Sequence, residues 1–338
     1  MSQIPDNPTI IIAGAGSIGC YVGGRLLQAG RKVKFLGRER IKSELEANGL
    51  LLTHFEDEEV LLPASNIEMS TDPAILAEAD IILVAVKSGA TEMIAADIAR
   101  HASAHAVIVS LQNGITNASK LSEGAAPRPV AAGMVPYNVA HIGEGRFHQG
   151  TSGTILIEAG ISGLLNALNT PHLDIAESDD MPAVMWGKLL INLNNAINAL
   201  SGIPLKEQIE NSAWRRLFAD QIAEGLGVLK AAGIKPRPAT PVPPGLLPLL
   251  LRLPTPIFRI IAARMVSIDP LARSSMWEDL QKGRMTEIDE LQGALVRLAE
   301  TVNIDTPICR RITDLIRAAE AAGDGSPKLD VERIRGGG

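Results

Sequence analysis

The sequence predicts an α/β protein in two parts, a doubly wound parallel sheet followed by an all-helical half. Three observations carry this prediction. The apolar run TIIIA at 9–13 leads straight into Gly14-Ala15-Gly16-Ser17-Ile18-Gly19, and helical spacing then sets in through Val22, Leu26 and Leu27. Apolar strands and amphipathic helices alternate from there on, which is the pattern of a parallel sheet. From Pro182 onward only helical periodicity remains. A chain of 338 residues is long for one core, so two domains are expected, 1–178 and 179–338.

Composition excludes several classes of function. The 46% hydrophobic and 21% charged fractions describe an ordinary globule. A net charge of −6 with a pI near 5.6 argues against a general nucleic-acid binder, which needs a basic face. Only two cysteines occur, Cys20 and Cys309, which suggests a reducing compartment without a disulfide framework. The start, MSQIPDNP, lacks the basic and apolar regions of a signal peptide. The most apolar late stretch, 245–263, is broken by Pro248, Arg252, Pro254, Pro256 and Arg259, so no membrane span and a cytoplasmic location are expected.

The glycine motif G-x-G-x-x-G is weak alone, but here it follows an apolar strand and opens a helix, the context a dinucleotide site requires. Gly14 allows the sharp turn, Gly16 leaves room for a pyrophosphate against backbone, and Gly19 lets the helix lie close on the strand. The phosphates would sit on free N–H groups at the positive end of the helix dipole. The bland alternative is a glycine-rich turn with no ligand. Gly30 then caps the helix and KVKFL at 32–36 makes the second strand. An NAD site usually has an acid at the end of this strand. Gly37-Arg38-Glu39-Arg40 stands there instead. Arg38 would pair with a 2′-phosphate, with Arg40 a second candidate, so NADP is favoured; Glu39 leaves NAD open.

Residues 53–63 and 67–69 are predicted as short strands of an antiparallel insertion, and 73–78 as a short helix. The buried strand 80–86 ends in Lys87-Ser88, at the carboxyl edge where such sheets bind ligands. A helix over 91–102 and a strand over 106–111 follow, the latter ending at the same edge in Gln112-Asn113-Gly114. Residues 130–135 and 153–158 supply late strands. His101 and His105 are four apart, as on one helical face, but no third ligand accompanies them and no metal site is expected.

In the second half, helices are predicted over 185–200, 213–232, 271–282, 285–301 and 309–322. Eight prolines between Lys235 and Pro256 rule out a long helix there. That stretch reads as a loop whose apolar side chains need cover, across an active-site rim or in the subunit interface of a homodimer. The tail from residue 323 is expected to fray.

On the first of these helices Lys188, Asn192 and Asn195 fall within roughly 60° of one another at helical spacing. Buried amides often bridge neighbouring helices. A lysine on the same stripe is harder to explain that way, because burying its charge is costly. Beside a substrate carbonyl it could donate a proton or stabilise a developing alkoxide. A third segment, Ser274-Ser275-Met276-Trp277-Glu278-Asp279, precedes Gly283-Arg284-Met285-Thr286-Glu287-Ile288-Asp289. By itself this segment reads mostly as a helix start, with Thr286 as cap and Asp289 completing a capping box.

GAGSIG, VAVKS, QNG, the lysine-to-asparagine helix and SSMWEDLQKGRMTEID, in that order over roughly 9–320, resemble the ketopantoate reductase (2-dehydropantoate 2-reductase) family. The resemblance implies a Rossmann domain followed by a helical domain of the 6-phosphogluconate dehydrogenase type, with the active site in the cleft between them. It implies NADPH-dependent reduction of 2-dehydropantoate to (R)-pantoate, on the route to pantothenate and coenzyme A. Carried over residue by residue, Lys188 matches the proton-donating lysine, Asn192 a substrate-binding asparagine and Ser275 a substrate-binding serine. Glu287 matches the glutamate beside the nicotinamide ribose and the lysine. Asn113 matches the asparagine of the cofactor edge and is a candidate for binding both cofactor and substrate, and Lys87 matches the lysine of the sheet edge, a cofactor-binding candidate. The family commonly has a second asparagine where this chain has Ala196, and Asn195 stands in as a substrate-binding candidate. Two alternatives remain: reduction of another branched or bulkier 2-oxo acid, and a non-catalytic NADP-sensing protein. Joint presence of Lys188, Asn192, Ser275 and Glu287 argues against a sensor, which needs only the cofactor half.

Overall fold

The computed structural model describes residues 4–55, 58–262 and 272–336. Two compact units divide it, Met1–Met181 and Pro182–Gly338.

The first unit runs β1 (Thr9–Ala13), α1 (Ser17–Gln28), β2 (Lys32–Leu36), α2 (Glu39–Asn48), β3 (Leu50–His54), β4 (Glu59–Leu62), β5 (Glu68–Ser70), β6 (Ile81–Val84) and α3 (Thr91–His101). It continues through β7 (Val107–Ser110), α4 (Asn117–Gly124), β8 (Val130–Met134), β9 (Val139–Gly143), β10 (Arg146–Gln149), β11 (Ile155–Glu158), α5 (Leu164–Leu168) and β12 (Ile175–Ser178). Eight strands form one sheet in the order β12-β11-β8-β7-β6-β1-β2-β5. Every pairing from β5 to β8 is parallel, and β11 then meets β8 antiparallel. All five residues of β1 are buried, and their alternation divides two cores. Ile10 and Ile12 join Val22 and Leu26 of α1, whereas Ile11 and Ala13 join Ile94 and Ile98 of α3 and Leu121 of α4. With both faces covered, the strand has to read as an unbroken apolar run.

A second sheet, β4-β3-β10-β9, departs from the sequence reading. In place of the strand expected over 53–63 stands an antiparallel pair, β3, which begins earlier at Leu50, and β4, with residues 56 and 57 outside the described ones; β3 also pairs in parallel with β10. The strand expected at 67–69 belongs elsewhere: β5 lies parallel to β2 at the edge of the main sheet. Strands β9, β10 and β12 escaped prediction because they are four or five residues long, too short to show a clear period. His101 ends α3 and His105 lies beyond it, its N–H on the Ser103 hydroxyl, so the two do not share a helical face. Among the described residues no group of three metal-ligating side chains forms.

The second unit contains α6 (Met181–Asn192), α7 (Asn194–Ser201), α8 (Leu205–Glu210), α9 (Ser212–Ala231), α10 (Leu247–Leu251) and α11 (Thr255–Ala262). After them come α12 (Ser275–Gln281), α13 (Gln292–Thr301), α14 (Pro307–Ala322) and α15 (Val331–Arg335). Two predicted helices are corrected. The span 185–200 is two helices that change over at Leu193, whose carbonyl is taken by the buried Gln292 side chain at 2.8 Å; such an insertion breaks a helical ladder. The helix predicted over 285–301 begins only at Gln292, because the Glu287 carbonyl accepts from Glu290 and Leu291 in tight turns. Thr286 accepts from the Ile288 N–H and Asp289 pairs with Arg317, so no capping box forms. Residue 271, the predicted start of α12, lies outside the described residues.

The tail does not fray at residue 323. Ser326 donates to the Ala199 carbonyl (2.6 Å), Leu329 N–H to Leu200 (2.9 Å), and Arg311 holds the Ile334 carbonyl. Residues 337 and 338 lie outside the described ones.

The proline-rich stretch is not a plain loop but a 3₁₀ turn (Pro244–Leu246) followed by α10 and the start of α11. Arg215, fully buried on α9, holds it. Its five N–H groups bond Leu251 O, Ile209 O, Glu210 O, Leu253 O and Thr255 Oγ1 at 2.9–3.2 Å, and its guanidinium stacks on Phe258. Leu246, Leu249, Ile257 and Ile260 remain exposed on the outer side. Arg215→Ala would leave these buried acceptors unpaired and is expected to cost about 3–5 kcal/mol. Thermal unfolding checks this, and an unchanged Tm refutes it. Among the described residues no helix is long and apolar enough to cross a membrane.

Candidate active site

In the first unit the glycine motif forms a turn with one open side. Gly14 has φ +113°, a conformation that disfavours any side chain, and a Cβ there would lie 2.6 Å from the Val86 nitrogen. A Cβ on Gly19 would lie 2.0 Å from the Gly14 carbonyl oxygen, so α1 can rest on the turn only through glycine. Gly14 and Ala15 both donate to the Leu36 carbonyl, and Gly16 donates back to Gly14. A Cβ on Gly16, by contrast, would meet nothing within 4 Å. Gly16 is also the N-cap of α1 and makes no side-chain cap, leaving the first turn from Ser17 through Ile18 to Gly19 as an anion-binding end. Cys20 behind it is buried, which pushes its thiol pKa up and makes it unreactive.

Arg38 follows at the carboxyl end of β2. A Cβ on Gly37 would lie 2.6 Å from the Ala15 Cβ, so Arg38 sits one residue from a backbone that touches the motif. Its side chain is exposed and has no ion pair among the described residues, whereas Arg40 is 3.5 Å from Glu44.

Two loops at the same sheet edge carry Lys87 and Asn113, both exposed. A buried polar chain missed in the sequence fixes them. Ser110 donates to Gln112 (3.1 Å), Gln112 to Thr91 (2.7 Å) and Thr91 to Asn117 (2.8 Å). The Asn117 amide then reaches both the Ser88 hydroxyl (2.9 Å) and the Asn113 carbonyl (2.6 Å). Lys87 and Asn113 thus each adjoin or belong to a loop with a defined place, through partners on α3 and α4. Bonded pairs 2, 4, 21, 26 and 29 residues apart have no common period that would reveal the chain.

In the second unit Lys188 and Asn192 lie on α6 and Asn195 on α7, all half-buried. Protein surrounds the Lys188 ammonium closely, and burial lowers its pKa from 10.5 to about 8. The side-chain amides of Asn192 and Asn195 make no hydrogen bond among the described residues, while Asn194 accepts from Gln208 and Asn198 is fully used within the fold. Ala196 is completely buried. The α6–α7 changeover therefore leaves Asn195, not position 196, as the half-buried amide.

Two contacts tie the segments that carry the other two candidates to that changeover. Ser274 caps α12, accepting from Trp277 N–H (3.1 Å), and donates to the Asn195 carbonyl (2.9 Å); Ser275, exposed, is the next residue. Gln292 on Leu193 ties the start of α13, and half-buried Glu287 lies in the turn just before it. Ser274, Asn198 and Gln292 were not singled out by sequence reasoning.

Two family models match the chain: "Ketopantoate reductase PanE/ApbA" over residues 10–160 and its C-terminal counterpart over 180–320. A 2-dehydropantoate 2-reductase of Halobacterium salinarum is 27% identical over 323 residues, covering 93% of this chain and 99% of that protein. A crystal structure of a PanE/ApbA family ketopantoate reductase from Ralstonia eutropha JMP134 superimposes with a TM-score of 0.79 at 28% identity, covering 93% of this chain and 99% of the other. D-mandelate dehydrogenase with NADH and anilino(oxo)acetate shares the fold at 22% identity and TM-score 0.76, with 94% and 99% of the chains covered.

Proposed function

The chain belongs to the ketopantoate reductase PanE/ApbA family, and from that premise we propose that it reduces a 2-oxo acid with NADPH, 2-dehydropantoate to (R)-pantoate being the first candidate. The observation that carries the chemistry is one half-buried lysine on α6, lowered to about 8, with an unpartnered amide one turn later on the same helix and a second at the start of α7. The open side of Gly16 and the uncapped start of α1 fit a nicotinamide dinucleotide, whose pyrophosphate they would hold. Bound NADPH supplies a hydride for C2 of the oxo acid. Lys188 gives the proton that the carbonyl oxygen takes up, so the two-electron reduction balances. Asn192, Asn195 and Ser275 hold the substrate, and Glu287 orients the ammonium. Lys87 and Asn113 line the cofactor edge.

The preference for NADP rests on Arg38, exposed and unpaired among the described residues at the end of β2. Losing one charge-assisted phosphate contact costs about 1.5–3 kcal/mol, so Arg38→Ala should narrow the preference for NADPH over NADH by roughly tenfold or more. Steady-state kinetics with both cofactors check this, and equal use by the parent protein sinks it. Another branched or bulkier 2-oxo acid is the second reading, since the half-buried amide here is Asn195 rather than the residue at position 196, where the family commonly has an asparagine. Loss of NADPH absorbance with a panel of 2-oxo acids, 2-dehydropantoate and an aromatic one included, separates the two. No turnover with any of them refutes both.

A further inference from the structure

We propose that Asn198 is a positioning residue for substrate binding, acting through Ser274. The inference rests on the reading above that Asn192, Asn195 and Ser275 meet the 2-oxo acid. Asn198 is fully buried, and its amide is spent on three bonds. Its oxygen accepts the Ser274 N–H (2.8 Å), and its nitrogen donates to the Ile203 carbonyl (2.9 Å) and to Gln208 Oε1 (3.0 Å). Gln208 in turn donates to the Asn194 side chain (2.7 Å).

Ser274 completes the clamp. Its hydroxyl donates to the carbonyl of Asn195 and accepts from Trp277 N–H, so one side chain both starts α12 and ties it to α7. Two further bonds continue the seam, Leu205 N–H to the Ala272 carbonyl (3.0 Å) and Arg273 Nε to the Gly202 carbonyl (3.1 Å). The residues this seam joins are not arbitrary. On one side Ser274 holds the backbone of Asn195, whose own amide is left over. On the other, the residue after Ser274 is Ser275.

Amides along the stretch thus divide into two kinds. Asn194 and Asn198 are committed to the fold, and Asn192 and Asn195 are left over. The committed pair fixes where the uncommitted pair and Ser275 stand relative to each other. Substrate groups held by side chains on separate elements depend on such a support, since a misplacement near 1 Å can cost two orders of magnitude. Plain tertiary glue is the competing account. It predicts loss of stability without loss of substrate affinity in the protein that stays folded.

The test uses the full chain with Asn198→Ala, Ser274→Ala and Ser274→Thr. Hydrogen exchange at the Ser274, Trp277 and Glu278 amides should quicken in both alanine variants and not across α9. The KM for the 2-oxo acid should rise about tenfold, the worth of one good hydrogen bond, with NADPH affinity unchanged. Ser274→Thr, which keeps the cap, should restore KM to near the parent value. If Asn198→Ala does not fold, Ser274→Ala decides alone. Unchanged exchange at those amides overturns the proposal, as does quicker exchange with the parent's KM. A parent protein that reduces no 2-oxo acid overturns the underlying reading and this one with it, and shows itself before any substitution is made.

Discussion

Replacing Lys188 by alanine is expected to lower kcat by about 10²–10⁴-fold, the usual worth of a positioned proton donor. A hydride delivered to C2 would build charge on the carbonyl oxygen, which a donor able to release a proton would have to meet. Lys188 is the cation one turn before Asn192 on α6, with Asn195 just past the changeover on α7. Burial brings its pKa to about 8, closer to neutrality than an ordinary lysine, which favours proton transfer while keeping the acid form dominant at pH 7. NADPH affinity should change little. Lys188→Arg should not rescue fully, because a guanidinium does not give up its proton in proteins. Glu287→Gln should cost less than the lysine substitution, as it keeps a hydrogen bond and loses only charge. The decisive measurement is kcat at saturating NADPH and substrate on folded Lys188→Ala; turnover within a few-fold of the parent means the proton comes from elsewhere.

The same lysine sets a pH dependence with a definite sign. The donor is competent when protonated, so the reduction rate should be level below the lysine's pKa and fall as pH rises through about 8. Above it the fall should approach about tenfold per pH unit, as for one titrating group. The reverse oxidation needs the neutral amine and should rise over the same range. A reduction profile level to pH 9.5 or beyond, roughly where an unshifted lysine begins to titrate, would contradict both the shift and the role.

How far the sequence reveals this protein depends on the range of the interaction that fixes each feature. The close seat of Gly19 is enforced by the Gly14 carbonyl five residues earlier and the turn at Gly14 shows in its own positive φ, so a short motif reveals both, although the backbone that crowds Gly14 belongs to the distant Val86. The division of the two cores by β1 is legible because alternate residues of one apolar run serve both. Arg215 is different. Its five acceptors lie 5–40 residues away, and only its place beside Trp214 and Phe218 on an apolar helix hints that it is buried. The changeover at Leu193 depends on Gln292, 99 residues later, so a continuous helix was the natural reading of 185–200. Likewise Asn192, Asn194, Asn195 and Asn198 look alike in sequence. Their partners on α8 and α12 are what sort them into two committed amides and two left over.

Gly16→Val is expected to weaken NADPH binding by about 10²-fold, close to 2.7 kcal/mol, with almost no change in Tm. The three glycines of the motif are under different constraints. Valine at Gly14 would be forced to φ +113° against the Val86 backbone, and at Gly19 its Cβ would collide with the Gly14 carbonyl; both should destabilise the first unit. Gly16 has φ −92° and ψ −165°, an extended conformation that a β-branched residue adopts readily, and its Cβ would point into open space. Nothing in the fold therefore asks for glycine at this position. A ligand lying against the backbone would ask for it, with the N-terminus of α1 offering its N–H groups to a pyrophosphate as proposed above. Fluorescence titration with NADPH, set beside thermal unfolding of the three variants, separates these reasons. If Gly16→Val binds NADPH as the parent does, the open side of the turn is not where the phosphates lie, and the assignment of Gly14 to Gly19 as the cofactor cradle fails.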